Sequence, residues 1–127
     1  MDVTPLIPVG RQIIEAYGDG GFRVAGIVLR GSILVFPDRA LPWPVVSAST
    51  LSIESLVEVE RAGRGVTVSV LLLGCGSRMT VVPGDLRRSL RAVGVVVEAM
   101  DTGAACRTYN VLMAEGRRIA AALVAVP

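Results

Sequence analysis

Three apolar runs separated by two stretches of helical period constrain this chain more than any other feature. Residues 66–73, 95–99 and 119–126 are almost unbroken series of Val, Leu, Ile and Ala. Such a run predicts a strand buried on both faces. Between the first two runs, Pro83-Gly84-Asp85 opens a segment in which Leu86, Leu90 and Val93 fall at i, i+4 and i+7, with Gly94 as its C-cap. Between the last two, Asp101-Thr102-Gly103 opens a longer helix to Glu115, stopped by Gly116. The order strand–helix–strand–helix–strand predicts an α/β unit with helices packed on a sheet.

The first half is rich in turn signals. Residues 1–10, with Pro5 and Pro8, read as an extended arm, and Arg11–Tyr17 as a short strand. Gly18-Asp19-Gly20-Gly21 is a turn cluster. Phe22–Leu29 and Ile33–Phe36 are expected to form a hairpin around Arg30-Gly31-Ser32, with Pro37 ending its second strand. Leu41-Pro42-Trp43-Pro44 cannot be a central strand, because its prolines lack ladder donors. Val45–Ser47 is expected to pair briefly at an edge. Ser52 is the expected N-cap of a helix over Ile53–Glu60, with Ile53, Leu56 and Val57 on one face.

Composition closes off several classes. The chain has 127 residues, 52% of them hydrophobic, which is ample for a buried core. The net charge of +2 gives no footprint for a nucleic-acid partner. No segment reaches the roughly 18 apolar residues of a transmembrane helix. The start of the chain lacks a basic region followed by an apolar stretch, so no signal peptide is expected. Two cysteines without such a signal point to a cytoplasmic location. The chain contains no His, which excludes His-dependent triads, and no Lys, which excludes a Walker loop. Gly74-Cys75-Gly76 lacks the third glycine of a dinucleotide fingerprint. Asp101 and Glu115 would stand about 20 Å apart on one helix, too far to act together. No catalytic residue, metal site or cofactor is expected.

In open α/β sheets ligands bind beyond the carboxyl ends of the strands. Two such ends are readable, at Gly74–Ser77 and at Asp101–Gly103. If their strands are neighbours, the loops converge. The helix starting at Thr102 would then aim free N–H groups at the crevice, with Arg78 and Arg107 in reach of a bound anion. The candidate ligand or partner site is Gly74, Gly76, Ser77, Arg78, Thr102, Arg107, Thr108 and Asn110. A plainer reading is capping by Asp101 or Thr102 and an Asn110 satisfied by loop carbonyls.

Other residues carry paired readings too. Trp43 is either a partner anchor or a loop tryptophan folded over the sheet edge. Arg87, Arg88 and Arg91 are either a lipid-facing patch or a solvated helix face. Cys106 lies in a helix's first turn, where the dipole would lower its pKa; with Cys75 it makes either a thiol pair or two buried small hydrophobes.

The segment Met100-Asp101-Thr102-Gly103-Ala104-Ala105-Cys106-Arg107-Thr108-Tyr109-Asn110-Val111-Leu112, continued by Ala114-Glu115-Gly116-Arg117-Arg118-Ile119-Ala120-Ala121-Ala122-Leu123, resembles the signature of a small family of unknown function. That family includes a mitochondrial assembly factor of respiratory complex I. Gly31-Ser32-Ile33-Leu34-Val35, Pro42-Trp43 and Leu71-Leu72-Leu73-Gly74-Cys75-Gly76 are similar to further parts of its pattern, although relatives carry Thr or another small residue at position 75. The resemblance spans about residues 11–125. It implies an α/β single domain of three layers, with a mixed central sheet, helices packed on it and an additional β-hairpin element. It also implies a non-catalytic assembly or interaction protein that aids biogenesis of a respiratory or other inner-membrane complex. The expected partners are protein subunits of that complex, met at the inner face of the inner membrane, with a homodimer as a further expectation. The competing function is a small-molecule (anion) binder or enzyme using the crevice at 74–78 and 101–110.

Overall fold

A computed structural model of the protein describes residues 11–127, so the expected arm at residues 1–10 lies outside the described residues. Strands β1 (Ile14–Gly18), β2 (Gly21–Val24) and β3 (Ile27–Arg30) form an antiparallel meander. A second sheet holds β4 (Ile33–Phe36), β5 (Arg39–Pro42), β6 (Val70–Gly74), β7 (Val96–Met100) and β8 (Ile119–Leu123), in the order β5-β4-β8-β6-β7. Its β8, β6 and β7 are parallel, and β4 and β5 are added antiparallel. The helices are α1 (Val57–Arg64), α2 (Gly84–Arg91) and α3 (Thr102–Ala114).

Strand β8 explains the layering. All five of its residues are buried, and they serve two cores by turns. Ala120 and Ala122 face a cluster with Leu71, Leu73, Val59, Leu86 and Leu90, on the side of α1 and α2. Ile119, Ala121 and Leu123 face Leu72, Tyr109 and Met113, together with Phe22 and Val24 of the meander. A strand covered on both faces needs no polar alternation, which is why its sequence shows none. The result is a mixed α/β fold in three layers: α1 and α2, the five-stranded sheet, then α3 with the meander.

Several expectations are corrected. Phe22–Leu29 is not one strand: it folds back at Ala25-Gly26 into β2 and β3. Ala25 and Gly26 have φ of 48° and 83°, and Val24 pairs with Ile27, the geometry of a two-residue type I′ hairpin. Ile33–Phe36 leaves the meander and pairs with β8 and β5 instead. The additional β element is therefore three-stranded. Val45–Ser47 forms no strand; Ser47 caps a short 3-10 turn at Ala48–Thr50.

The α1 helix begins later than expected, because Ser52 and Ser55 close a local turn on each other. Ser55 Oγ donates to the Ser52 carbonyl at 2.6 Å, and a 3-10 turn at Glu54–Leu56 follows. The buried face is Leu56, Val59 and Ala62, whereas Val57 is exposed. The α2 helix buries Leu86 and Leu90 as its spacing requires. Arg88 and Arg91 face solvent, but Arg87 turns back and donates to the Val97 carbonyl at 2.7 Å. Among the described residues no helix is long and apolar enough to cross a membrane.

Candidate functional site

The strands β6 and β7 are parallel neighbours, so the loops that follow them do converge. The first runs to α2 on one face of the sheet and the second enters α3 on the other. This is the topological switch point at which α/β sheets usually open a crevice.

Here the two loops are stitched to each other, and a recess lined by Gly76, Ser77, Asp101 and Gly103 remains beside the seam. The Cys75 amide donates to the Met100 carbonyl at 2.8 Å, and the Thr102 amide to the Gly76 carbonyl at 2.8 Å. Thr102 Oγ1 accepts from the Gly76 amide at 2.9 Å and donates to the Val124 carbonyl at 2.7 Å. A Cβ at Gly74 would sit 3.0 Å from Thr102 Cα, so glycine lets the helix start press against the strand end. The Asp101 carboxylate accepts from the Ala104 amide at 2.9 Å. The expected set of free N–H groups at the start of α3 is thus reduced. The amides of Thr102 and Ala104 already have acceptors, and the cap itself is a carboxylate.

Further along α3, Asn110 acts as a surrogate strand neighbour. Its Oδ1 accepts from the Ile14 amide at 2.9 Å and its Nδ2 donates to the Ile14 carbonyl at 2.8 Å. One side chain thereby clamps β1 to α3 and docks the meander. Arg107 is exposed and donates to the Tyr17 hydroxyl at 3.3 Å; Thr108 beside it is half-buried.

The eight expected residues therefore do not make one cluster. Gly74 and Thr102 are interior. Gly76 and Ser77 line a recess of about 360 Å3 with Asp101 and Tyr17. Arg107 and Asn110 line another of about 290 Å3 with Glu15, Cys106 and Tyr17. Arg78 is exposed and lines neither recess. The residue missed from sequence is Tyr17, which stands between the two recesses. Its only signal was an aromatic placed just before the Gly18–Gly21 turn.

Trp43 is not available as an anchor. It is 4% exposed, packs in the core with Val45 and Leu56, and donates from Nε1 to the Ser55 carbonyl at 2.7 Å. What the same end of the sheet presents outward is the loop after β6. There Met79 is 60% and Val81 is 92% exposed, next to the exposed Ser77 and Arg78.

Both cysteines are buried and free. The expected lowering of the Cys106 pKa by the helix dipole is corrected. Burial pushes the thiol up to about 12, only partly opposed by the Arg107 charge. Native Cys106 is accordingly expected to resist maleimide at about pH 8 and to react promptly once the chain is unfolded in urea, since the thiolate is the nucleophile. Adduct mass with peptide mapping reads this out, and prompt labelling of the native protein would contradict it. The sign for stability follows. The folded pKa exceeds the thiol's ordinary value of 9.0, so this thiol's contribution is complete below that value and is lost as pH rises through about 12.

A model for a family described as proteins of unknown function (DUF498/DUF598) matches residues 14–124. The chain is similar to an uncharacterised protein of Rhodobacter capsulatus, 41% identical over 93% of this chain and 88% of that protein. It is also similar to NADH dehydrogenase (ubiquinone) 1 alpha subcomplex assembly factor 3 of Danio rerio, 35% identical over 91% of this chain and 65% of that protein. The chain thus spans a little under two thirds of the assembly factor's length. Among solved structures, a Bordetella pertussis protein described as a Mth938-like domain superposes with a TM-score of 0.82 at 32% identity, covering 98% of this chain and 92% of that one.

Proposed function

The chain belongs to the DUF498/DUF598 family, and on that premise we propose that it is a non-catalytic interaction protein that binds subunits of an inner-membrane complex during assembly. The likeness to the complex I assembly factor supports a role with protein partners. The observation that carries the reading is that the loops at the switch point satisfy each other's hydrogen bonds. Gly76, Thr102 and Val124 spend their hydrogen-bonding groups on each other where an α/β enzyme or small-molecule binder would keep them for a ligand. The anion-binding alternative meets the Asp101 carboxylate at the same place.

The surface offered to a partner is the rim beyond β6, with Met79 and Val81 as its apolar contacts and Ser77 and Arg78 beside them. Apolar side chains exposed to this degree on one loop suit a transient protein contact. Deleting the protein and taking an inventory of membrane complexes on native gels tests the proposal. The expected result is depletion of one respiratory or other inner-membrane assembly, with subcomplexes accumulating. An unchanged inventory would sink it.

A further inference from the structure

At the end of the sheet opposite the switch point, the β4–β5 turn, the lead into β6 and the lead into β8 surround a recess of about 400 Å3. Arg11, Arg39, Arg117 and Arg118 line it, against a single acid, Asp38. Four cations less one anion leave +3 here, more than the +2 of the whole chain. Arg39 pairs with Asp38 at 3.2 Å, and outside the recess Arg23 pairs with Glu15, Arg61 with Glu58 and Arg64 with Glu60. Among the described residues, Arg11, Arg117 and Arg118 have no carboxylate partner. An excess of one charge in a concavity draws the opposite charge.

Two of these arginines are also positioned. The Arg39 guanidinium lies 4.2 Å from the centroid of the Phe36 ring, and Arg118 Nη1 donates to the Val66 carbonyl at 3.2 Å. Held planar forks favour bidentate recognition of carboxylates. Apart from Thr67, the remaining lining is apolar. Val66 at the lip is 63% exposed with φ of 60°, a conformation that a β-branched residue adopts only when its surroundings impose it. Among the described residues, the fully buried Tyr109 hydroxyl has no hydrogen-bond partner.

We propose that this recess takes an acidic segment of a protein partner, its carboxylates held by Arg11, Arg39, Arg117 and Arg118 and its apolar side chains lying against Val66. The inference rests on the interaction-protein reading above and adds a second partner surface, at the end of the sheet opposite Met79 and Val81. A concavity with an apolar lip suits a peptide. A flat lipid surface would instead meet an outward face such as Arg88 and Arg91.

The test is fluorescence anisotropy of the purified full chain with a labelled peptide, Asp-Leu-Glu-Leu-Asp, against its Asn/Gln counterpart. The acidic peptide is expected to bind and the amide version not. Arg117→Glu with Arg118→Glu should weaken binding roughly tenfold or more, whereas Arg88→Glu with Arg91→Glu, an equal charge change on another face, should leave it within about twofold. Arg117→Glu alone, at an exposed side chain, guards against a folding defect in the double variant and should weaken binding in the same direction. Equal loss from both double variants, or no binding by the parent chain, overturns the proposal. So does binding that appears only when residues 1–10 are deleted, which would assign the recess to the chain's own leading segment. Recruitment to phosphatidylserine vesicles that is lost in the Arg117/Arg118 variant, without peptide binding, overturns it in favour of a membrane. Failure here with a depleted complex on native gels leaves the assembly reading standing. Peptide binding with an intact inventory supports the recess and removes the assembly role.

Discussion

Replacing Thr102 by Val lowers the unfolding free energy by roughly 2–4 kcal/mol, read as a drop in the denaturant midpoint. The two side chains have nearly the same shape and branching, so packing against Gly74 and Leu123 changes little. What disappears is the hydroxyl. It satisfies the Gly76 N–H at 2.9 Å and the Val124 carbonyl at 2.7 Å, at a residue with no exposed surface. Each group left unpaired in the interior costs about 1–3 kcal/mol. Thr102→Ser keeps both bonds and loses only a methyl group, worth about 0.8 kcal/mol. The expected order of stability is therefore parent, then Ser, then Val. A Val variant within about 0.5 kcal/mol of the parent would mean that water reaches both backbone groups. The switch point would then be open, and the case against a ligand there would lose its footing.

Parts of this architecture were legible because they are local. The rhythm of β6, α2, β7, α3 and β8 follows from apolar runs and helical spacing, and Pro83 and Gly116 mark the ends of helices that formed where expected. The two meander turns show where legibility stops. Asp19-Gly20 and Ala25-Gly26 both adopt positive φ at both positions, yet only the first carries the Asp-Gly signature of that turn. Ala25 pays a small steric cost because the pairing of β2 with β3 over-determines it. The contacts of the candidate site were hard to read for a different reason. Thr102 is 26 residues from Gly76 and 22 from Val124, and Asn110 is 96 from Ile14. Nothing in a linear pattern tells a polar residue that reaches a ligand from one that reaches distant backbone. The plainer reading of Thr102 and Asn110, as groups satisfied by the protein itself, is the one their hydrogen bonds follow, although the partner of Asn110 is a strand rather than a loop.

Gly21→Ala is expected to cost roughly 2–3 kcal/mol, against the usual sign of such a change. Glycine to alanine at a compatible position stabilises by about 0.4–1 kcal/mol, because the unfolded chain has less freedom to lose. Gly65 is such a position: its φ is −82°, and the nearest atom to an added Cβ is the Arg61 carbonyl oxygen at 3.5 Å. At Gly21 the added Cβ would stand 2.5 Å from the Leu29 carbonyl oxygen and 3.4 Å from Arg30 Cα. Both are backbone atoms of the adjacent strand, and neither can swing aside as a side-chain end would. Relief requires β3 to move away from β2, where Phe22 pairs with Leu29 and Gly21 with Arg30. Phe22 and Val24 would then lose part of the cover that buries them. Hydrogen exchange should accelerate through β2 and β3 while β6 and β8 stay protected, because the five-stranded sheet does not depend on that edge. Gly65→Ala should leave protection unchanged everywhere. If the two variants prove equally stable, the meander is not packed as tightly as the Gly21 contact requires, and its docking on α3 must rest on the Asn110 clamp and the Arg107–Tyr17 contact.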